Sequence, residues 1–136
     1  MTNITTLLAK DNYMTTFVKG LKMTGLEDTL NTDGPFTIFV PTNLSFGKLD
    51  SSIVKEWEEG HHTPELRAIL NHHIIAGRIN ISDLTNETII NTIDGQMLFV
   101  TVIGKTVKIN NAEVLGRDLE ASNGIIHSID RVLANN

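Results

Sequence analysis

The order of helical and strand patterns along the chain constrains the fold more than any other feature of this sequence. Residues 1–84 carry mainly helical hydrophobic spacing with one strand, and residues 86–134 carry mainly short strand patterns. Segregation of this kind favours α+β over alternating α/β architecture. With 136 residues, the chain can bury a real core but is too short for two ordinary domains. We therefore predict a single α+β domain over residues 1–136.

Start and stop residues mark four helices in the first zone. Apolar residues at i, i+3, i+4 and i+7 follow the first cap, and Thr63-Pro64-Glu65 is a strong helix start. The predicted helices are one capped by Asp11 or Asn12 and ending at Gly25, one over 44–49 capped by Asn43, one over 53–59 capped by Ser51 or Ser52, and one from Thr63 to Gly77.

Turn residues divide the rest of the chain into strands. Residues 36–40 form a β-branched and aromatic run between Gly34-Pro35 and Pro41, which is typical of a buried strand. Asp94-Gly95 and Gly104-Lys105 separate three further β-rich runs and predict hairpins. Asn123-Gly124 is expected to turn the chain into a last strand over 125–133, with the glycine at a positive φ and the asparagine bonded to the backbone that enters that strand.

Composition excludes several classes of function. Eleven Lys and Arg against sixteen Asp and Glu give a net charge of −5 without a basic cluster, which disfavours a nucleic-acid partner. Cysteine is absent, so disulfides, thiolate zinc sites and a cysteine nucleophile are excluded. The longest apolar runs, such as 97–103, are far shorter than the roughly 20 residues that cross a bilayer, so no direct membrane insertion is expected.

No reaction centre is visible in the sequence. His61-His62 and His72-His73 are adjacent pairs and lack the i, i+4 spacing of zinc helices. The acidic clusters lie in strongly polar stretches, no serine stands in a nucleophile elbow, and no glycine loop fits a phosphate. We therefore predict a protein that is not an enzyme, with no cofactor and no metal.

Three ordered segments resemble the signatures of the fasciclin-type (FAS1) adhesion domain family. They are GPFTIFVPTNLSF at 34–46, LNHHIIAG at 70–77, and ASNGIIHSIDRVL at 121–133. Together they place the resemblance over almost the whole chain, as a single domain. The resemblance implies a compact β-wedge of two small sheets packed with several helices.

The resemblance also implies a binding role. Family members mostly sit outside the cell, anchored or secreted, and attach to cells or matrix. In animal matrix relatives, partner recognition is assigned to a Tyr-His segment and to an Asp-Ile pair before the closing signature. By position, these correspond here to His72 with His73 and to Asp118 with Leu119.

The implied partner is a cell-surface or matrix protein, or another cell, and the chain is expected to be a monomer. The implied location is extracellular or at the cell surface, with a periplasmic location also open. Residues 1–10 lack a basic n-region and a long apolar region, so the signal peptide or anchor is expected to be absent from this chain.

Alternative interpretations remain open at this point. The position of His73 in an apolar helix stripe favours a hydrogen-bonded packing role, and His127 is expected to make a buried polar contact. A small-molecule or pigment carrier would use an apolar groove between sheet and helices, lined by Phe36, Phe39, Phe46, Trp57 or Phe99. A hydrolase would pair His73 or His127 with a carboxylate.

Overall fold

Two small sheets and a set of short helices form the structure, which confirms the predicted α+β class. The computed structural model describes residues 3–32, 34–47, 51–61, 63–80, 83–110, 112–115 and 119–133. In these residues the helices are α1 (Ile4–Ala9), α2 (Thr15–Thr24), α3 (Leu26–Leu30), α4 (Asn43–Phe46), α5 (Ser51–Glu58) and α6 (Thr63–Asn71). The strands are β1 (Phe36–Pro41), β2 (Ile74–Ala76), β3 (Thr88–Asn91), β4 (Met97–Ile103), β5 (Thr106–Ile109), β6 (Ala112–Glu113), β7 (Leu119–Ala121) and β8 (Gly124–Ile129).

The first sheet, with strand order β2-β1-β8-β7, is covered on both faces. Its centre is a parallel pair in which Ile38 of β1 lies opposite Ile126 of β8. Ile38 and Ile126 pack with the helices, whereas Phe39 packs with the second sheet. Burial on both faces explains why the β1 and β8 sequences are almost continuously apolar.

The second sheet is antiparallel, with strand order β3-β4-β5-β6. The hairpins predicted at Asp94-Gly95 and Gly104-Lys105 are confirmed. Leu98 and Val100 of β4 point inward against the first sheet, while the alternate side chains of the strand face solvent. One face of this sheet therefore contributes to a hydrophobic core between the two sheets, and the other face is exposed to solvent.

Backbone hydrogen bonds join the two sheets at two places. Val114 forms an isolated bridge with Ile129, directly beyond β6 and at the end of β8. At the other place, the Ile93 N–H donates to the Ile74 carbonyl oxygen over 2.9 Å. These hydrogen bonds hold the two sheets in a fixed position relative to each other.

Three of the predicted helix caps are wrong. Ser51 and Ser52, expected to cap a helix over 53–59, lie inside α5. Met14, not Asp11 or Asn12, is the N-cap residue of α2, and its side chain makes no capping hydrogen bond. The amide oxygen of Asn43 accepts instead from the Thr16 N–H over 2.9 Å, so α2 is capped by a residue far along the chain. The helix that Asn43 was expected to cap is capped by Thr42, whose side chain accepts from the Ser45 N–H.

Tertiary pairing overrides the predicted ends of two elements. The last helix ends at Asn71 rather than Gly77, because the next residues form β2 and pair with β1. The last strand ends at Ile129 rather than Leu133, and the chain then folds back against the core. Both predictions followed local pattern, which carries no information on the partner strand.

The conformation predicted for Asn123-Gly124 is also wrong, although the glycine is required. Gly124 does not have a positive φ; it lies within β8. A Cβ at this position would lie 2.1 Å from the Phe36 carbonyl oxygen. The Asn123 amide bonds not the last strand but the Ile4 N–H and the carbonyls of Leu30 and Thr32.

Candidate functional site

His73 lies inside the fold and acts as a hydrogen-bonded packing residue. Its side chain is fully buried, and its ring meets that of Phe17 edge to face at 5.8 Å between centroids. Nε2 accepts from the Leu133 N–H over 2.8 Å, and Nδ1 lies 2.9 Å from the Ile69 carbonyl oxygen. Nδ1 must therefore carry the hydrogen, and the neutral ring ties the end of α6 to the segment after β8.

Burial lowers the pKa of His73 from 6.5 to about 3. The hydrogen bond to Ile69 opposes this shift, and the neighbouring His72 adds to it. Both nitrogens of His73 meet backbone groups and not a carboxylate, so the geometry gives no support to His73 as half of a hydrolytic pair. As placed, the side chain does not reach the surface where a partner would bind.

His72 lies at the surface edge of the same turn. Its side chain is 12% exposed, and Nδ1 lies 3.0 Å from Oδ2 of Asp94 in the β3–β4 turn. The two atoms do not meet the geometry of a hydrogen bond. Thr92 donates to the other carboxylate oxygen of Asp94. This contact adds to the backbone link between the two sheets.

Leu119 lies on β7, the strand at the opposite edge of the first sheet. Its side chain is 48% exposed, and Leu115, on the other side of the 116–118 segment, is 52% exposed. Both are anchored to β8, Leu115 through its N–H to the Ser128 carbonyl and Leu119 through pairing with Ile126. Asp118 falls outside the described residues.

The predicted site residues thus form two separate places rather than one. His72 lies two residues before β2, and Leu119 lies in β7. Strands β1 and β8 lie between β2 and β7 in the first sheet. At the usual spacing between strands, this separation is about 14 Å across the sheet. A partner that contacts both places must span the width of the first sheet.

His127 makes the buried polar contact that its sequence position predicted. Its ring stacks on Phe39, with centroids 5.5 Å apart, and Nε2 lies 2.9 Å from the Ile79 carbonyl oxygen. Since a carbonyl can only accept, Nε2 carries the hydrogen. This contact holds the segment after β2 against the face of the first sheet.

An exposed apolar surface on the second sheet was not predicted from the sequence. It is formed by outward-facing side chains that are each at least half exposed, and we call it the β4 patch: Ile89 51%, Met97 55%, Phe99 54% and Ile103 70%. Ile89 lies directly opposite Phe99 in the strand register. A signal was present in the sequence, since β4 is apolar on both alternate faces although only one face meets the core.

The cavities give no support to the carrier alternative. One cavity of about 20 Å³ lies among the helices, lined by residues that include Gly20, Trp57 and Leu70. An open groove of about 250 Å³ lies between α1 and α2. Neither lies between a sheet and the helices. Of the residues predicted to line such a groove, Phe46 and Trp57 line the 20 Å³ cavity among the helices, whereas Phe39 is buried in the core and Phe99 points to solvent.

In the part of the chain that the structure describes, no group of three or more His, Asp or Glu is placed to hold a metal ion. Within the same residues, no helix has the length and apolar character needed to cross a bilayer.

The structure is a small α+β domain with exposed apolar side chains at an edge of its first sheet and on the outer face of its second sheet. The family model of the Fasciclin domain matches residues 12–135. The chain therefore belongs to the Fasciclin domain family, as the three sequence segments predicted.

Comparisons with individual proteins agree with this assignment. The chain is 32% identical over 133 residues to the Synechocystis protein sll1735, covering 98% of each chain. It is 33% identical over 108 residues to the immunogenic protein MPB70 of Mycobacterium bovis, covering 79% of this chain and 53% of that protein. A FAS1 domain pair from the insect cell adhesion molecule Fasciclin I has the same fold, with a TM-score of 0.86 at 24% identity. The match covers 98% of this chain and 51% of that one.

Proposed function

We propose that this domain is a non-enzymatic adhesion or protein-interaction module that works outside the cell or at its surface. Membership of the Fasciclin domain family is the observation that carries the proposal. Two of the candidate contact residues support such a role by their positions, since Leu119 lies on an edge strand and His72 lies in the turn after α6. The partner is a cell-surface or matrix protein, or another cell.

The principal contact in this proposal is the pair Asp118 and Leu119, of which Leu119 lies on the edge strand β7. A carboxylate beside an exposed leucine offers a partner one charge and one apolar group, and Leu115 extends the apolar part. Because β7 is at the edge of its sheet, one side of its backbone is also open to pairing with an extended segment of the partner.

His72 provides a second contact at the other edge in the same proposal. His73 supports this contact from inside, since it fixes the backbone turn that carries the partly exposed His72 side chain. A large partner such as a matrix protein can touch both edges of the sheet, whereas a short peptide would use only one.

Attachment of cells to the immobilised domain tests the proposal directly. We expect Asp118→Asn and Leu119→Ser each to reduce attachment by about tenfold, which corresponds to roughly 1.4 kcal/mol of binding energy. Leu44→Ser is the matched control, because Leu44 is 83% exposed on α4 and outside the proposed contact. Equal attachment by all three variants would contradict the proposed site.

Location tests the proposal before any partner is known. Antibody detection after fractionation of the expressing cells should find the protein on the surface, in the medium or in the periplasm. Recovery only from the cytosol would contradict an adhesion role.

A further inference from the structure

We propose that the β4 patch is an interface for a second copy of this chain, so that the domain forms a weak symmetric dimer through its second sheet. This inference revises the expectation of a monomer. It is independent of the contact proposed at Asp118 and Leu119, since Leu119 lies on the other sheet.

The residues of the patch are held in place rather than free to collapse inward. The Phe99 N–H donates to the side-chain oxygen of Asn110 over 2.9 Å, and the Asn110 N–H donates to the Phe99 carbonyl over 2.7 Å. On the other side, β3 pairs with β4 and sets Ile89 beside Phe99. A second molecule therefore meets a preformed apolar surface and pays little ordering entropy to bind it.

The size of the patch fits a small dimer interface. Four large apolar side chains, each at least half exposed, amount to a few hundred Å², which is already the range of the largest patch on a typical monomer. The surrounding Thr101, Lys108 and Asn91 share this face and bring the area toward the roughly 800 Å² per partner of a standard interface.

Charge is distributed so that copies of an acidic protein can meet on this face. The whole chain has a net charge of −5, which opposes self-association elsewhere on the surface. Strands β3, β4 and β5 contain one ionisable side chain, Lys108, and no acid. Glu113 of β6 lies opposite Lys108 in register and balances its charge at the rim.

The order of side chains along β4 is complementary to itself. The outward positions are Met97, Phe99, Thr101 and Ile103, with large Phe99 next to small Thr101. A twofold axis across the strands at the level of Val100 places Phe99 of one copy over Thr101 of the other, and Met97 over Ile103. A large residue then fills the space above a small one, as packed faces require. The same axis does not place the two Lys108 side chains opposite each other.

Sedimentation equilibrium over micromolar to millimolar concentrations tests the inference. We expect the wild-type chain to show reversible dimerisation, with a dissociation constant at least tenfold smaller than that of Phe99→Thr. Tyr13→Thr is the matched control, because Tyr13 is an exposed aromatic residue outside the patch, and it should dimerise like the wild type. A wild-type chain that remains monomeric over the whole range overturns the proposal.

A second variant and a local probe guard against an indirect effect of Phe99→Thr. Thr101→Arg keeps every apolar residue but adds bulk and charge where Phe99 of the other copy would lie, so it should abolish the dimer. The methyl NMR signal of Met97 should shift on dilution, while that of the buried Met14 should not. Association with an unchanged Met97 signal would place the interface elsewhere and overturn the proposal.

These outcomes are distinguishable from those of the attachment assay. Loss of dimerisation in Phe99→Thr with normal attachment supports both proposals as separate surfaces. Normal dimerisation with no attachment by the wild-type chain would refute the proposed function alone.

Discussion

Protonation of His73 should control how the stability of the domain depends on pH. In the folded state the His73 ring is neutral and its pKa is lowered to about 3, whereas in the unfolded chain the pKa of the same ring is 6.5. In the folded state the Leu133 N–H donates to Nε2 of His73. A protonated ring would carry a hydrogen on Nε2, so two N–H groups would face each other. The stabilisation is therefore complete above pH 6.5 and is lost progressively as the pH falls toward 3.

The magnitude follows from the width of that window. Between the two pKa values, the unfolded chain carries one more proton, which costs about 1.4 kcal/mol of unfolding free energy per pH unit. From pH 6.5, where the unfolded ring is half protonated, to pH 5.0, before most carboxylates titrate, His73 should account for a loss of about 1.6 kcal/mol. This loss is a large share of the stability of a small domain.

Urea unfolding at a series of pH values measures the effect. His73→Gln keeps an acceptor for Leu133 but does not titrate, so it should be less stable than the wild type at pH 7 and have a flatter slope between pH 5.0 and 6.5. His61→Gln is the control, because His61 is exposed, and its slope should match the wild type. Repeating the comparison with His72→Gln removes the contact between His72 and Asp94. Parallel slopes for wild type and His73→Gln would refute the reasoning.

Two further predictions concern the turn before β8. Gly124→Ala should lower the free energy of unfolding by about 3 kcal/mol, because its Cβ would meet the Phe36 carbonyl at 2.1 Å. Gly95→Ala, at φ +84 in open space, should lower it by only about 1 kcal/mol. Thermal unfolding measures both changes. Similar losses for the two variants would contradict the steric explanation. Asn123→Asp should cost about 3 kcal/mol, since it replaces the amide that donates to two backbone carbonyls with a carboxylate. Denaturant unfolding of Asn123→Asp should show that loss, and a change below about 0.5 kcal/mol would mean that these bonds contribute little.

The candidate site could be predicted from the sequence only as positions, not as an arrangement. The sequence pairs His72 with His73, but the turn after α6 leaves one ring partly exposed and buries the other completely. It also puts Leu119 near the closing signature without showing that β1 and β8 separate it from His72. Such distances depend on strand order, which local pattern does not encode.

The β4 patch shows a different limit of sequence interpretation. Phe99 was considered a residue for a groove or a core because large aromatics are usually buried. In the fold it alternates with Leu98 and Val100, which occupy the inner face, so Phe99 must point outward. Alternation was readable in the sequence, but which of two apolar faces meets the core was not.

The sequence by itself determined the elements whose causes are local. Gly25 ends α2 at φ +78, Asp94-Gly95 makes a hairpin, and the β-branched run before Pro41 forms a central strand, because turn chemistry and hydrophobic period act over a few residues. Tertiary structure decided the features whose partners lie far along the chain. Asn43 caps α2 from a distance because α4 packs against α2, and Gly124 leaves room for the Phe36 carbonyl because β1 lies beside β8.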